Sequence, residues 1–171
     1  WMVTNLGFQQ TQADPCLYIG KINEETVFLA VYVDDILMAA KLEKTLEEVK
    51  TRMNQFYKIE DMGRLHHFLG VKVSRDKHGT WLGQSTYIDK VLKRFKMENA
   101  QVVSTPMEVS SVWRRRESEK GEQPSSMENY RSAIGSLMYL ANSTRPDIAY
   151  AVNKMAQYAS NPGTLHWEGV K

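Results

Sequence analysis

Apolar residues run almost unbroken from residue 27 to residue 40, and the pair Asp34-Asp35 is the interruption. That pattern predicts a β-hairpin: one apolar strand arrives, the two acids turn, and a second apolar strand leaves. Upstream, Asp14-Pro15 marks a break before a short strand, Cys16-Leu17-Tyr18-Ile19, and Asn23-Glu24-Glu25 is a polar turn. Three strands in this order form an antiparallel meander.

Helical spacing follows. Leu42, Leu46, Val49, Met53 and Phe56 make an apolar stripe, with Glu43, Lys44, Glu47, Glu48 and Lys50 on a charge-balanced, solvated face. Phe68-Leu69-Gly70-Val71-Lys72-Val73 predicts a strand, Asp76-Lys77-His78-Gly79 a turn, and Thr80-Trp81-Leu82 the returning strand of a second hairpin. Ser85 or Thr86 then caps a helix, with Asp89 placed as in a capping box. Its stripe is Ile88, Val91, Leu92 and Phe95, and Lys90, Lys93, Arg94 and Lys96 make the remainder basic.

The pattern dissolves at about residues 103–126, which read as an exposed, mobile loop around Pro106, Arg114-Arg115-Arg116, Gly121 and Pro124. Glu117, Glu119 and Glu122 offset the three arginines, so this stretch reads as solvated. Helices return through Tyr130, Ile134, Leu137, Met138 and Ala141, and then from Pro146 through Ile148, Val152, Met155 and Ala159. Asn161-Pro162-Gly163 stops the second of these, and Thr164 starts one more.

The acids carry the chemistry. Burying one unpaired carboxylate costs several kcal/mol or more, roughly, and a second beside it raises the cost unless a cation holds both. A divalent ion is the natural counter-ion, and hard oxygen donors favour magnesium or manganese. The competing reading is a pair of solvated turn acids.

Composition narrows the frame without changing it. The chain has 171 residues, 42% hydrophobic and 25% charged, enough for one domain or two small modules with a real core. A net charge of +2 does not by itself argue for a nucleic-acid partner. The single cysteine, Cys16, excludes an internal disulfide, fits a reducing compartment and reads as a small buried residue. No apolar run approaches the roughly 18 residues that span a bilayer. Trp1 is not an initiator methionine, so the chain is expected to be processed or a piece of something longer. The four histidines have no metal-ligand spacing.

Three function classes suit paired acids in an apolar run. A phospho-accepting receiver domain needs its acids to lead into a loop and helix, but Ile36-Leu37-Met38 continues as strand, and the hairpin near residues 68–82 breaks strand–helix alternation. A polymerase palm fits better: two-metal phosphoryl transfer needs carboxylates from neighbouring strands. A nucleic-acid-binding or structural remnant of such a domain is the third.

Tyr32-Val33-Asp34-Asp35 resembles the box of reverse transcriptases, and its surroundings resemble the copia-type long-terminal-repeat retrotransposons. Gly7-Phe8 and Asp14-Pro15-Cys16-Leu17-Tyr18 precede the box as in that family. Phe68-Leu69-Gly70-Val71-Lys72-Val73, Gln84, Tyr87-Ile88, Leu92-Lys93-Arg94-Phe95 and Thr105-Pro106 follow in its order. Tyr130-Arg131, Ile134-Gly135-Ser136-Leu137-Met138-Tyr139-Leu140, Thr144-Arg145-Pro146-Asp147-Ile148-Ala149-Tyr150 and His166-Trp167 complete the set over nearly the whole chain.

The resemblance implies an α+β fold: an antiparallel palm sheet with a catalytic β-hairpin, a primer-grip hairpin and a helical thumb. Residues 1–64 would be the C-terminal part of the palm, 65–84 the primer grip, 85–162 the thumb, and 163–171 the start of a connection toward RNase H. It implies RNA-directed DNA polymerase chemistry with two Mg2+ (or Mn2+) ions in the complete enzyme. Asp34 and Asp35 would be catalytic metal ligands, and Tyr32 and Val33 would lie by the primer end and nucleotide. Leu69, Gly70, Val71 and Lys72 would form the primer grip. Gly135, Ser136 and Tyr139 would contact nucleic acid from the thumb; helix packing is the alternative for Gly135 and Tyr139. Arg145-Pro146-Asp147 is a family signature whose work reads as structural, with Asp147 at a helix start.

The partners implied are an RNA or DNA template-primer, deoxynucleotides and the rest of a Pol polyprotein (fingers, RNase H, integrase), with no membrane. The location implied is the cytoplasm, in a virus-like particle, and later the nucleus. In the family a first catalytic aspartate lies upstream of Gly7-Phe8, with the fingers, and Asp14 sits in the wrong context to replace it. The expectation is that this chain alone does not polymerise. Gly83, usually serine, and Arg64, often an acid, are smaller departures.

Overall fold

The computed structural model describes residues 1–108, 113 and 127–171, without the side chains of 127 and 128. It divides into two compact units, Trp1–Gly63 and Arg64–Lys171, which are taken in turn. The loop expectation for 109–126, with Arg114-Arg115-Arg116, lies outside the described residues apart from Trp113.

The first unit is α1 (Met2–Leu6), β1 (Gln9–Gln10), β2 (Leu17–Ile22), β3 (Glu25–Tyr32), β4 (Asp35–Ala39) and α2 (Glu43–Asn54). The strands form one antiparallel sheet in the order β1-β2-β3-β4. The meander expected from the pattern is therefore present, extended by the short β1. Alternation along β3 buries Val27 and Leu29, while Phe28 remains exposed, so the strand has one core face. Leu6, Phe8, Ile22, Val49 and Met53 complete this core. Gly20 on β2 is required by Phe8: a Cβ there would stand 2.7 Å from the Phe8 ring.

Three expectations are corrected here. Cys16 is exposed, because it sits in the turn where its N–H donates to Asp14 Oδ1 at 2.8 Å and the side chain faces solvent. Leu42 precedes α2 rather than lying in its stripe, and Phe56 lies beyond the helix end, packed on Trp1 with ring centroids 5.3 Å apart. Thr45, which no apolar pattern singles out, is buried. The solvated face of α2 is neutralised as expected. Lys50 pairs with Glu47 (2.7 Å) and Asp61 (2.8 Å), and Arg52 with Glu48. These bonds raise Lys50 above the ordinary lysine range, the one from Asp61 most.

The second unit opens with β5 (His67–Phe68), β6 (Val71–Asp76) and β7 (Gly79–Gly83), an antiparallel sheet in that order. The single strand expected over 68–73 is in fact two. Phe68 pairs with Val71 across a Leu69-Gly70 turn whose φ values, 49° and 79°, are both left-handed. The β6–β7 hairpin forms as expected, its turn fixed by the Asp76 carboxylate, which accepts N–H groups of His78 (2.7 Å) and Gly79 (3.1 Å).

Helices α3 (Ser85–Arg94), α4 (Met127–Ser143), α5 (Ala149–Ala156) and α6 (Thr164–Val170) follow, with a 3-10 turn at Pro146–Ile148. Neither Ser85 nor Thr86 caps α3; Gln84 holds the cap position, and no side chain caps there. The core lies among α4, α5 and α6, where Tyr130, Ile134, Met155 and Tyr158 are buried with Trp113 and Trp167 against them. Tyr130 donates its hydroxyl to the Met155 carbonyl at 2.8 Å, and burial pushes its phenol up to about 12.

Candidate active-site hairpin and second-unit contacts

The β3–β4 hairpin is tight. Tyr32 pairs with Asp35, leaving Val33 and Asp34 as the two turn residues. Asp35 therefore opens β4 rather than sharing the turn. Val33 holds φ at 57°, the left-handed region that a β-branched residue enters only under constraint. It is also 86% exposed, so no side-chain packing compensates the strain. Asp34 and Asp35 are both exposed. The burial cost invoked for them is thus not what the fold imposes; two adjacent, solvent-facing carboxylates on a strained turn are what remain.

Asp34 also edges a cavity of about 330 Å3, walled by Trp1, Tyr18, Ile36, Met53 and Tyr57 among others. Tyr57 meets Trp1 edge-on at 5.2 Å, and the Trp1 indole N–H is buried without an acceptor among the described residues. The hairpin supplies two hard oxygen donors, which suits magnesium or manganese in chemistry. Among the described residues no group of three His, Cys, Asp or Glu side chains stands close enough to hold an ion. The donor set therefore fits part of a metal site.

The other expected residues lie in the second unit. Leu69 and Gly70 are the β5–β6 turn, Val71 and Lys72 open β6, and Lys72 is exposed. The Leu69 carbonyl accepts the Tyr139 hydroxyl, and a Cβ on Gly70 would lie 3.6 Å from that oxygen. Tyr139 also packs edge-on against Tyr87 at 5.1 Å. The fold thus brings Leu69, Gly70 and Tyr139 together. Ser136 is buried and donates to the Ser132 carbonyl at 2.9 Å. Gly135 is exposed, and a Cβ there would meet none of the described residues within 4 Å, so no described helix requires a glycine here.

Arg145 and Asp147 form a bidentate pair, with Nε at 2.9 Å and Nη2 at 2.8 Å from the carboxylate. The guanidinium holds Asp147 below the usual carboxylate range and is itself raised. Lys90, Lys93 and Arg94 stand one helical stripe apart on α3, all exposed, and none of them pairs with an acid among the described residues. Gln84, which the family resemblance includes without a role, is buried and accepts the Thr144 hydroxyl at 2.7 Å; a lone amide between a strand and a helix carries no periodic signal.

The model of the family described as reverse transcriptase (RNA-dependent DNA polymerase) matches residues 1–109. This chain belongs to that family. It is similar to the retrovirus-related Pol polyprotein from transposon TNT 1-94 of Nicotiana tabacum, with 37% identity over 96% of the chain and 13% of that protein. The Pol polyprotein from transposon RE1 of Arabidopsis thaliana is 35% identical over 97% of the chain and 11% of its own length. A putative transposon Ty5-1 protein of Saccharomyces cerevisiae is 28% identical over 97% of the chain and 53% of itself. The copia-type resemblance read from the motifs is therefore shown, and the chain spans about one-eighth of the plant polyproteins it matches. No solved structure matches it at a significant level. The observed architecture, antiparallel sheets with helices, is the α+β class expected. No described helix is long and apolar enough to cross a membrane.

Proposed function

We propose that this reverse transcriptase family chain contributes the later palm, primer grip and thumb of an RNA-directed DNA polymerase within a retrotransposon Pol polyprotein. The observation that carries the reading is the Asp34-Asp35 pair at a strained two-residue hairpin in a chain of this family. In this reading residues 1–64 are the palm part, 65–84 the grip, 85–162 the thumb and 163–171 the connecting segment; the division at Gly63 supports the first of these boundaries alone. Asp34 and Asp35 would hold magnesium or manganese, two ions in the complete site. The metal, when bound, activates the attacking 3′ hydroxyl and stabilises the charge that develops on the phosphate.

This chain's own residues would do the rest by position. Val33, pinned in a left-handed turn, fixes the direction in which the neighbouring carboxylates and the Tyr32 ring face the primer end. The Leu69-Gly70 turn, held from behind by Tyr139, presents backbone and Lys72 to the primer. Gly135, on the open face of α4, is available to a duplex; the Ser136 and Tyr139 hydroxyls already have partners. Lys90, Lys93 and Arg94, the last lying over the Phe95 ring at 5.5 Å, form no ion pair among the described residues and are cations for phosphates. The substrates in this reading are a template-primer and deoxynucleotides, and the partners are the fingers, RNase H and integrase of the polyprotein. The setting is the cytoplasm and then the nucleus.

A second reading is favoured by the donor count. Two exposed carboxylates without a third ligand among the described residues suit a chain that binds nucleic acid without catalysing. Primer extension separates the two. Residues 1–171 alone are expected to give no extension, while the same residues joined to a segment supplying another carboxylate strand extend a primer, and Asp34→Asn removes that activity. Extension by the joined protein that survives Asp34→Asn would overturn the catalytic role.

A further inference from the structure

One face of the second sheet carries a feature that the reading above uses only at Lys72. Cross-strand pairing puts His67 opposite Lys72, Lys72 opposite Gly83, and Ser74 opposite Trp81. Directly paired side chains share a face, and alternate residues along a strand return to it, so His67, Lys72, Ser74, Asp76, Trp81 and Gly83 all lie on one side. All of these except Gly83 are exposed.

Trp81 is 59% exposed, and no aromatic ring packs on it among the described residues. Yet the ring is not loose, because its Nε1–H donates to Asp76 Oδ2 at 3.1 Å. The space beside it is open among the described residues: Ser74 is small, and a Cβ on Gly83 would meet none of them within 4 Å. The result is a fixed indole face bordering an open floor, with a lysine on the adjacent row.

We propose that this face is a stacking platform for an unpaired base of a single-stranded nucleic acid, with Trp81 under the base and Lys72 on a neighbouring phosphate. The proposal rests on the nucleic-acid reading above and adds to it a single-strand site on β6 and β7. Charge and composition select this occupant. A protein-binding core needs contiguous apolar side chains, whereas among the described residues Trp81 is the one large apolar side chain on this face, which otherwise presents a hydroxyl, an imidazole, a carboxylate and an ammonium. A base supplies the matching π-face, and the phosphate supplies the counter-charge that Lys72 lacks among the described residues.

The test is fluorescence anisotropy of residues 1–171 with a labelled oligothymidylate and, separately, a blunt DNA duplex. Trp81→Ala is expected to weaken oligothymidylate binding about tenfold or more and to leave the duplex unchanged, whereas Trp81→Phe, which retains a ring, keeps most of the affinity. Lys72→Ala is expected to lower the salt slope for the single strand by about 0.7. Duplex binding with no effect of Trp81→Ala on the single strand overturns the platform alone. A loss equal in Trp81→Phe and Trp81→Ala, or one that follows a lowered melting temperature, assigns Trp81 to structure and also overturns it. Wild-type protein that binds neither probe overturns the nucleic-acid reading, and the platform with it.

Discussion

The Glu25 carboxylate on β3 accepts the Leu42 backbone N–H at 2.6 Å and, through its other oxygen, the Thr45 hydroxyl. A strand residue therefore caps α2, in place of the residue immediately before the helix, satisfying one of the orphan donors and facing the positive end of the helix dipole. The Thr45 bond contributes most to lowering Glu25 below its ordinary value of 4.5; burial opposes it, and the Leu42 backbone bond adds to it. A carboxylate with a depressed folded pKa stabilises above its unfolded pKa, and the effect is lost as pH falls through the folded value. Glu25→Gln is therefore expected to lower Tm by a few degrees at pH 7 and to have little effect near pH 2. Equal losses at both pH values would leave no role for the charge.

Val33 predicts the opposite sign. A valine at φ 57° carries about 1–2 kcal/mol of backbone strain that glycine does not, partly offset by the glycine's entropy in the unfolded chain. Val33→Gly is expected to be neutral or to stabilise by up to about 1 kcal/mol in denaturant melts, and to lower extension by the joined polymerase because the hairpin loses its fixed direction. A destabilisation greater than 1 kcal/mol, roughly, would mean that the turn is not strained at Val33.

These two sites mark where patterning sufficed and where it did not. The hairpin was legible because an acid pair in a long apolar run has few other placements, and β3 alternates cleanly. Helices α2, α3, α4 and α5 were legible from their apolar spacing, and α6 from Thr164 after the stop at Asn161-Pro162-Gly163. The division at Leu69-Gly70 was not, because Leu69 reads as another apolar strand residue and its left-handed φ is a property of the turn alone. The exposure of both acids was hidden for a related reason: apolar flanks give a strand's average burial but not the burial of a turn at its end. The Glu25 cap and the Asp76–Trp81 contact join residues without periodic relation.

Tyr130 gives a test in alkaline solution. Its hydroxyl is buried on the Met155 carbonyl, and its phenol is pushed up to about 12 by burial and, to a smaller extent, by Tyr158. Folding then disfavours ionisation, so this contribution is whole below the ordinary value of 10 and is lost as pH rises toward 12. Tyr130→Phe removes one of the hydrogen bonds to the Met155 carbonyl, which keeps the Tyr158 N–H at 3.0 Å, and should cost about 0.5–1.5 kcal/mol at pH 7, with a smaller difference at pH 11. Ultraviolet titration should show one tyrosine fewer ionising late in the variant. An unchanged titration would place that phenol elsewhere.

The charge on α3 makes the most direct test of the nucleic-acid reading. Helices α2 and α3 are both amphipathic, but Lys50 and Arg52 of α2 are paired within the chain, whereas Lys90, Lys93 and Arg94 are not among the described residues. Lys93 and Arg94 lie in the last turn of α3, where cations also complement the helix dipole, so a purely structural role predicts lost stability on their removal. A phosphate-binding role predicts something different. Each cation neutralising a B-DNA phosphate contributes about 0.9 to the slope of log binding constant against log salt, so Lys90→Gln, Lys93→Gln and Arg94→Gln should each flatten the duplex slope by about that amount. Lys44→Gln on α2, an exposed lysine in a charge-balanced helix, should leave the slope unchanged. Slopes equal in all four variants, with lowered melting temperatures for the α3 changes alone, would assign those cations to the helix rather than to a template-primer.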